Sequence, residues 1–456
     1  MTTVIIALWR YRLNLRGFNK PSHVRIIVVG PANCVVDETC VDVLHHVDCA
    51  INIRDANHSQ LVQKVRELAA NYGATNRRLC AFEKELQKAI AKIRFDLDIE
   101  GLLPEQLEQL LHLKDLRALT RRSGLTTVRH CILASQSQPD AWLERARIQI
   151  GGFPMFVKPV LPSTACMHTR HIACNEHDFL TWARGRTDGI SPNVEYVVEE
   201  CLQNGHEFTA MCSKAGLIGT VAMVDSQRTL FECARDQVPY AVEYLTAEQT
   251  RDIFPGIESF VMHTMKSVLN RSFPSLLFIR GYYKSHNSIY FVSTSLEPKS
   301  DSHRRLLHAA RNSTAWEVAY LESLLGISQS SQNGECSSKG ARSQHHILVN
   351  FPTSEGVLLH QTSIPKRTAE IRVAWRVSEG EELYDCDTAD SNILQIFLSH
   401  TDRARLLQEV RELINETDIT VDRLSAADKH SVCRRSHHLH PRSSLNQLTR
   451  SCTTTD

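Results

Sequence analysis

No acidic residue precedes Asp37, no two cysteines stand as a Cys-x-x-Cys pair, and no apolar run is long. Each lack removes a class of protein. A bilayer-spanning helix needs about 20 consecutive apolar residues, and nothing in the 456 residues approaches that. The 14 cysteines are scattered singly from Cys34 to Cys452, which argues against a zinc ribbon or a dithiol redox motif. Most lie inside apolar runs, as Cys131 and Cys212 do, and read as small core residues suited to a reducing compartment. Charge of one sign is also missing in sum: 52 Lys and Arg face 51 Asp and Glu, for a net charge of +1. That balance gives no case for nucleic acid or a membrane surface as partner. A Gly-x-Gly-x-x-Gly fingerprint is absent, because Gly30 stands alone after its strand pattern, and a dinucleotide site is not expected there.

What is present is ordinary soluble-protein composition, 42% hydrophobic and 23% charged, in a chain long enough for two to four domains. The acid-free start carries Arg10, Arg12, Arg16 and Lys20. It reads either as a mitochondrial presequence or as a first strand, Val4 to Trp9, whose basic flank is solvated. The lack of serine enrichment favours the strand and a cytoplasmic protein. Val24 to Gly30 then reads as a buried parallel strand, Val35 to Leu44 as a helix, and Cys49 to Ile53 as a second strand. An amphipathic helix follows, with Ser59 as its N-cap, and Cys80 to Ile93 and Pro104 to Leu113 have helical spacing too. This alternation predicts an open α/β unit over residues 1–112.

The centre of the chain is Gly151-Gly152-Phe153-Pro154-Met155-Phe156-Val157-Lys158-Pro159. A short apolar strand ends there in a lysine, and a buried ammonium requires an anionic partner. A second apolar strand ends in acid, Val197-Val198-Glu199-Glu200-Cys201-Leu202, and Gly205-His206-Glu207 follows. A hairpin pattern, Leu276 to Arg280 with Ile289 to Val292, leads to Ser295-Leu296-Glu297-Pro298-Lys299. Residues 327–345 are rich in Ser, Gln and Gly and read as a flexible linker. Strand patterns and the amphipathic stretch Asp402 to Ile414 fill residues 346–424, and residues 425–456 read as a disordered tail, with metal binding by the clustered His437, His438 and His440 as the weaker alternative.

These motifs together resemble the ATP-grasp superfamily, in its carnosine synthase and L-amino-acid ligase branch. The resemblance spans roughly residues 24–421, with specific matches at 151–159, 199–207 and 296–299. It implies an α/β (α+β) chain: the N-terminal open α/β domain, a two-lobed ATP-grasp module at 113–326 with lobes 113–195 and 196–326, and a small β-rich C-terminal subdomain. It implies ATP and Mg2+ as cofactors, with a small carboxylate and an amine as substrates, and leaves a homo-oligomer open. Residue by residue, it implies that Lys114 and Lys158 hold phosphates. Glu199, Glu200, Leu202 and Glu207 would hold the adenosine, Glu297 the magnesium, and Lys299 the acyl-phosphate region. The activity implied is an ADP-forming carboxylate–amine ligase; a catalytically impaired relative that only binds nucleotide or a partner is the alternative.

Three departures bear on that choice. Lys114-Asp115 reverses the family's Asp-Lys order, and the segment from Val160 to Arg170 lacks the glycines of a phosphate-covering loop, though Ser163, Thr164 and Arg170 can still contribute. No Asp or Glu occurs between Pro274 and Ser295, where the resemblance requires magnesium ligands. Magnesium is bound by hard oxygen ligands, usually carboxylates shared with phosphates.

Overall fold

The computed structural model describes residues 1–11, 13–31, 34, 45–53, 57–72, 76–133, 138–160, 170–187, 195–268, 276–298, 301–310, 315–327, 344–353, 355–383 and 392–422. The helix expected at Val35 to Leu44, the tail, and most of the linker lie outside these residues.

The opening segment forms strand β1 (Thr2–Ala7), which pairs in parallel with β2 (Val24–Gly30) and β4 (Arg77–Ala81); β3 (Cys49–Asn52) extends the sheet beyond β2. Both faces of β1 are covered, as an apolar run without alternation demands. Ile5 and Ala7 pack on Leu61 and Val65 of α1 (His58–Asn71) and on Leu86 and Ile90 of α2 (Lys84–Asp96). Val4, Ile6 and Leu8 share the opposite core with Trp316 and Tyr320. Two local expectations are corrected. The cap of α1 is Asn57, not Ser59, because Asn57 and Gln60 close a reciprocal capping box. Cys80 lies in β4 rather than in a helix: Leu79, Cys80 and Ala81 are fully buried in the sheet, and the helix begins only at Lys84.

Helices α3 (Pro104–Leu111) and α4 (Leu113–Arg122) lead into a four-stranded antiparallel sheet. Its strands are β5 (His130–Leu133), β6 (Met155–Pro159), β7 (His171–Ala173) and β8 (Tyr196–Glu200), in the order β5-β8-β6-β7. Helices α5 (Pro139–Ile150) and α6 (Glu176–Thr187) cover one face, where Trp142, Phe179 and Trp182 bury Met155, Val157 and Val198. Gly151, at φ 97°, ends α5 in the left-handed conformation that closes helices and turns the chain into β6.

The remaining strands are β9 (His206–Ser213), β10 (Gly216–Met223), β11 (Tyr240–Thr246), β12 (Leu277–Ser285), β13 (Ser288–Ser295), β14 (His345–Pro352), β15 (Gly356–His360), β16 (Glu370–Trp375), β17 (Glu382–Leu383), β18 (Asn392–His400) and β19 (Thr420–Asp422). Eight of them make one antiparallel sheet, β13-β12-β9-β10-β11-β14-β18-β16, and β17-β15-β19 make a small one. The join between β11 and β14, from Tyr240↔Asn350 to Tyr244↔His346, carries the sheet without a break from the second-lobe segment into the C-terminal segment. Helices α7 (Leu230–Arg235), α8 (Ala247–Ile253), α9 (Ile257–Val268), α10 (Asp301–Ala310), α11 (Trp316–Leu325) and α12 (Arg403–Glu416) complete the chain. No helix among the described residues is long and apolar enough to cross a membrane. A cleft opens between the β5–β8 sheet and the β9–β12 edge of the large sheet.

Candidate functional site

The pleat of β6 and β8 sorts their side chains. Met155 and Val157 turn toward the α5–α6 core, so Phe156 and Lys158 take the other face and line the cleft. On β8, Val198 goes to the core and Glu199 to the cleft. The register sets Phe156 opposite Glu199, and Lys158 reaches diagonally to place its Nζ 2.7 Å from Glu199 Oε2 and 5.5 Å from the centre of the Phe156 ring. The other carboxylate oxygen, Oε1, accepts from Arg117 of α4 at 2.5 Å, and the same guanidinium donates to the Phe291 carbonyl at 2.9 Å.

This trio is nearly dry: the side chains of Arg117, Glu199 and Lys158 are 1%, 5% and 16% exposed. Burial pushes the Glu199 carboxyl up, but Arg117 and then Lys158 outweigh it and hold the group down at about 2. Burial, with the charge of Arg117 added, lowers Lys158 to about 8 against the pull of Glu199. A cation of lowered pKa at the end of a strand, facing a cleft, is suited to an anionic ligand.

The opposite wall comes from the large sheet. Arg280 of β12 lies 2.5 Å from Glu207 of β9, whose second oxygen accepts from the Leu230 N–H at 3.1 Å. Val128, Ile172, Leu202, Tyr282 and Val292 supply apolar surface, with Arg170 at the rim, around about 780 Å³ of space open to solvent. At the turn after β8, the N–H groups of Glu200 and Cys201 donate to the carbonyls of Arg129 and Pro154 at 3.0 and 3.2 Å. The Glu200 carboxylate is tied to Arg129 Nε at 2.7 Å.

Of the residues singled out from sequence, Lys158, Glu199, Glu200, Leu202 and Glu207 line this one cleft. Lys114 does not: it is exposed on α4, and the cation that this helix sends inward is Arg117, one turn on. Glu297 is also elsewhere. Burial raises its carboxyl; Arg304 is its foremost cation, and Glu85, Lys84 and Glu83 at the start of α2 are its other charged surroundings. Lys299, Ser163 and Thr164 lie outside the described residues.

Among the described residues, those lining the cleft do not fit a magnesium ion. Each carboxylate in the cleft is already bound to a cation: Glu199 to Arg117 and Lys158, Glu200 to Arg129, Glu207 to Arg280. Among the described residues no three His, Cys, Asp or Glu side chains gather as a metal site. Sequence reading missed Arg117 and Arg280. Both carried a signal, a charged residue set inside an apolar pattern.

No protein-family model and no curated protein matches the chain. Solved structures do. It is similar to an L-amino acid ligase from Bacillus licheniformis, at 14% identity, TM-score 0.61, with 92% of this chain and 99% of that chain covered. It is similar to a phosphoribosylglycinamide synthetase from Anaerococcus prevotii, at 14% identity and TM-score 0.54, covering 92% and 100%. A carboxyaminoimidazole ribonucleotide synthase from Aspergillus clavatus, complexed with ATP, matches at 11% identity and TM-score 0.54, covering 91% and 99%. At these identities the likeness establishes the fold.

Proposed function

We propose that this chain, whose fold is that of the ATP-grasp superfamily, binds ATP in the cleft between β6–β8 and β9–β12. The observation that carries the reading is Lys158, an ammonium held at a strand end in an apolar-walled cleft and already lowered to about 8. Adenine would lie against Val128, Ile172 and Leu202, facing the backbone of Glu200 and Leu202. Glu207 would stand near the ribose, and Lys158 would meet the phosphates.

The reaction class we assign to the site is ADP-forming ligation of a small carboxylate to an amine. A carboxylate oxygen attacks the γ-phosphorus and ADP leaves with the electrons of the broken bond. The amine nitrogen then attacks the acyl carbon, and inorganic phosphate leaves as the amine loses a proton. Fixed positive charge at Lys158 would stabilise the charge that develops on the transferring group. Support comes from the neighbours, two of which are named as a ligase and a synthetase. A second reading, nucleotide binding without turnover, is favoured by one observation: the cleft carboxylates are all engaged by cations and Glu297 does not line the cleft.

Calorimetry with ATP tests the binding. Lys158→Ala is expected to weaken affinity by about 1.5–3 kcal/mol, the scale of a hydrogen bond to a charged group. Equal affinity in wild type and variant would remove the site assignment. ADP release on addition of amino-acid mixtures then separates the two readings, since only the ligase makes it depend on the amino acid.

A further inference from the structure

We propose that this cleft neutralises the phosphates of its nucleotide with arginine in place of a divalent metal ion, Arg280 taking the central part beside Lys158 and Arg170. The inference rests on the nucleotide reading above and deepens it.

The placement of Arg280 is the first ground. Strand β12 is apolar on both sides of it, with Leu277, Phe278 and Ile279 buried, yet the arginine faces the cleft. Its backbone is fixed from two directions, opposite Thr209 of β9 and Ser293 of β13. Its side chain is 21% exposed, held to Glu207 through one terminal nitrogen, while its buried Nε–H has no hydrogen-bond partner among the described residues. The exposed fifth of the side chain lies on the cleft wall, where a ligand oxygen can meet the guanidinium edge. A phosphate supplies acceptors in the fork geometry that arginine matches.

The second ground is the charge balance. Lys158, Arg170 and Arg280 line the cleft with Glu199, Glu200 and Glu207, and Arg117 and Arg129 touch two of those carboxylates. The lining itself thus holds three cations and three carboxylates, with Arg117 and Arg129 behind two of the carboxylates and Glu232 and Asp225 acting on Tyr282. Lys158 and Arg170 both feel the charge of Arg280, so the three cations converge on one region. A dication entering there would have to separate a carboxylate from a guanidinium already within 2.5 Å. A polyphosphate meets the opposite situation, since the three grouped cations attract it.

The test titrates ATP into the full chain, once with EDTA and once with saturating Mg2+. The inference expects affinity in EDTA to equal or exceed that with Mg2+. It expects Arg280→Ala to weaken metal-free binding by about tenfold or more, the effect of losing a charged hydrogen bond. Removing Arg280 alone takes one guanidinium from Glu207, so the paired exchange Arg280→Gln with Glu207→Gln is measured beside it and should show the same loss while keeping the wild-type melting temperature. Binding that requires Mg2+ overturns this inference and spares the nucleotide site. ATP affinity unchanged in the paired exchange also overturns it. No ATP binding in either condition overturns the nucleotide reading and this inference with it.

Discussion

Glu199 in the cleft and Glu317 on α11 are each 4% exposed. Glu199 has a cation on either oxygen and is held at about 2. Glu317 has the Tyr11 hydroxyl, which in turn accepts from Trp316 Nε1 at 3.0 Å, and burial raises it to about 7 against that bond and the more distant Arg304. The same withdrawal from water thus gives a fixed anion in one place and a group poised to carry a proton in the other. What decides is the partner, because a low dielectric magnifies whichever charge is near. In the cleft, that magnified charge is positive and confronts the ligand. At the seam between α11 and the N-terminal sheet the cation acting on Glu317 is Arg304, its guanidinium 5.7 Å from the centre of the Tyr11 ring, and the contact is otherwise aromatic, with Phe82, Tyr11 and Trp316 packed ring against ring.

The largest expected effect comes from breaking the cleft trio. Arg117→Ala leaves a buried carboxylate with Lys158 alone and strips the Phe291 carbonyl of its donor. Removing one member of a buried ionic group typically costs about 3–5 kcal/mol, and urea unfolding monitored by circular dichroism reads it directly. A loss under about 1 kcal/mol, the ceiling for exposed pairs, would mean that Glu199 is far wetter than its surroundings indicate.

Why Lys158 and Glu199 were legible in the sequence and Arg117 was not has a physical answer. A charged residue closing a short apolar strand is visible because the strand's period is two and its ends are marked by glycine and proline. Arg117 sits on a helix, where Leu113, Leu116, Arg117 and Thr120 form one stripe at spacings of three and four. Reading for a motif drew attention to Lys114, on the flank; reading for the stripe would have found the arginine inside it. Arg280 is equally visible as a cation in an apolar strand, at a place where the resemblance requires an acid. Tyr11 and Glu317, 306 residues apart, could not have been paired from sequence by any local pattern. The open α/β start and the α/β class overall were legible because long apolar strands and amphipathic helices are periodic. Short or weakly patterned strands such as β5, β7 and β11 take their place from pairing alone.

A middle-sized effect sharpens the contrast through pH. The folded pKa of Glu317 lies above its unfolded value, so its contribution to stability is complete below about pH 4 and is lost as pH rises through about 7. Glu199 runs the other way: its contribution is complete above about pH 4 and is lost as pH falls toward about 2. Unfolding free energies measured between pH 5 and 8 should therefore decline in wild type with a slope of up to about 1.4 kcal/mol per pH unit from this one group. Glu317→Gln should flatten that slope, keeping a hydrogen-bonding group beside Tyr11. An unchanged slope in the variant would place the proton elsewhere and undo the comparison.

The smallest effect concerns a third carboxylate, which lies between the two cases. Glu297 follows β13 in partly buried surroundings, and burial raises its pKa, while Arg304 acts against the shift. Its nearest structural bond is made by its backbone: the Glu297 carbonyl accepts from Ser295 Oγ at 2.7 Å. Glutamine is close to glutamate in size and retains one acceptor, so Glu297→Gln removes a charge without opening a cavity. If the cleft is completed by arginine, this side chain has no part in holding the nucleotide. ATP affinity should then change by less than about 0.5 kcal/mol, the range of substitutions away from a functional feature. Any amino-acid-dependent ADP formation should persist in the variant, whereas a metal-holding carboxylate would take turnover with it when neutralised. Loss of ADP formation in Glu297→Gln, with ATP affinity and melting temperature unchanged, would return Glu297 to the chemistry and show that a cation is shared between this carboxylate and the bound phosphates.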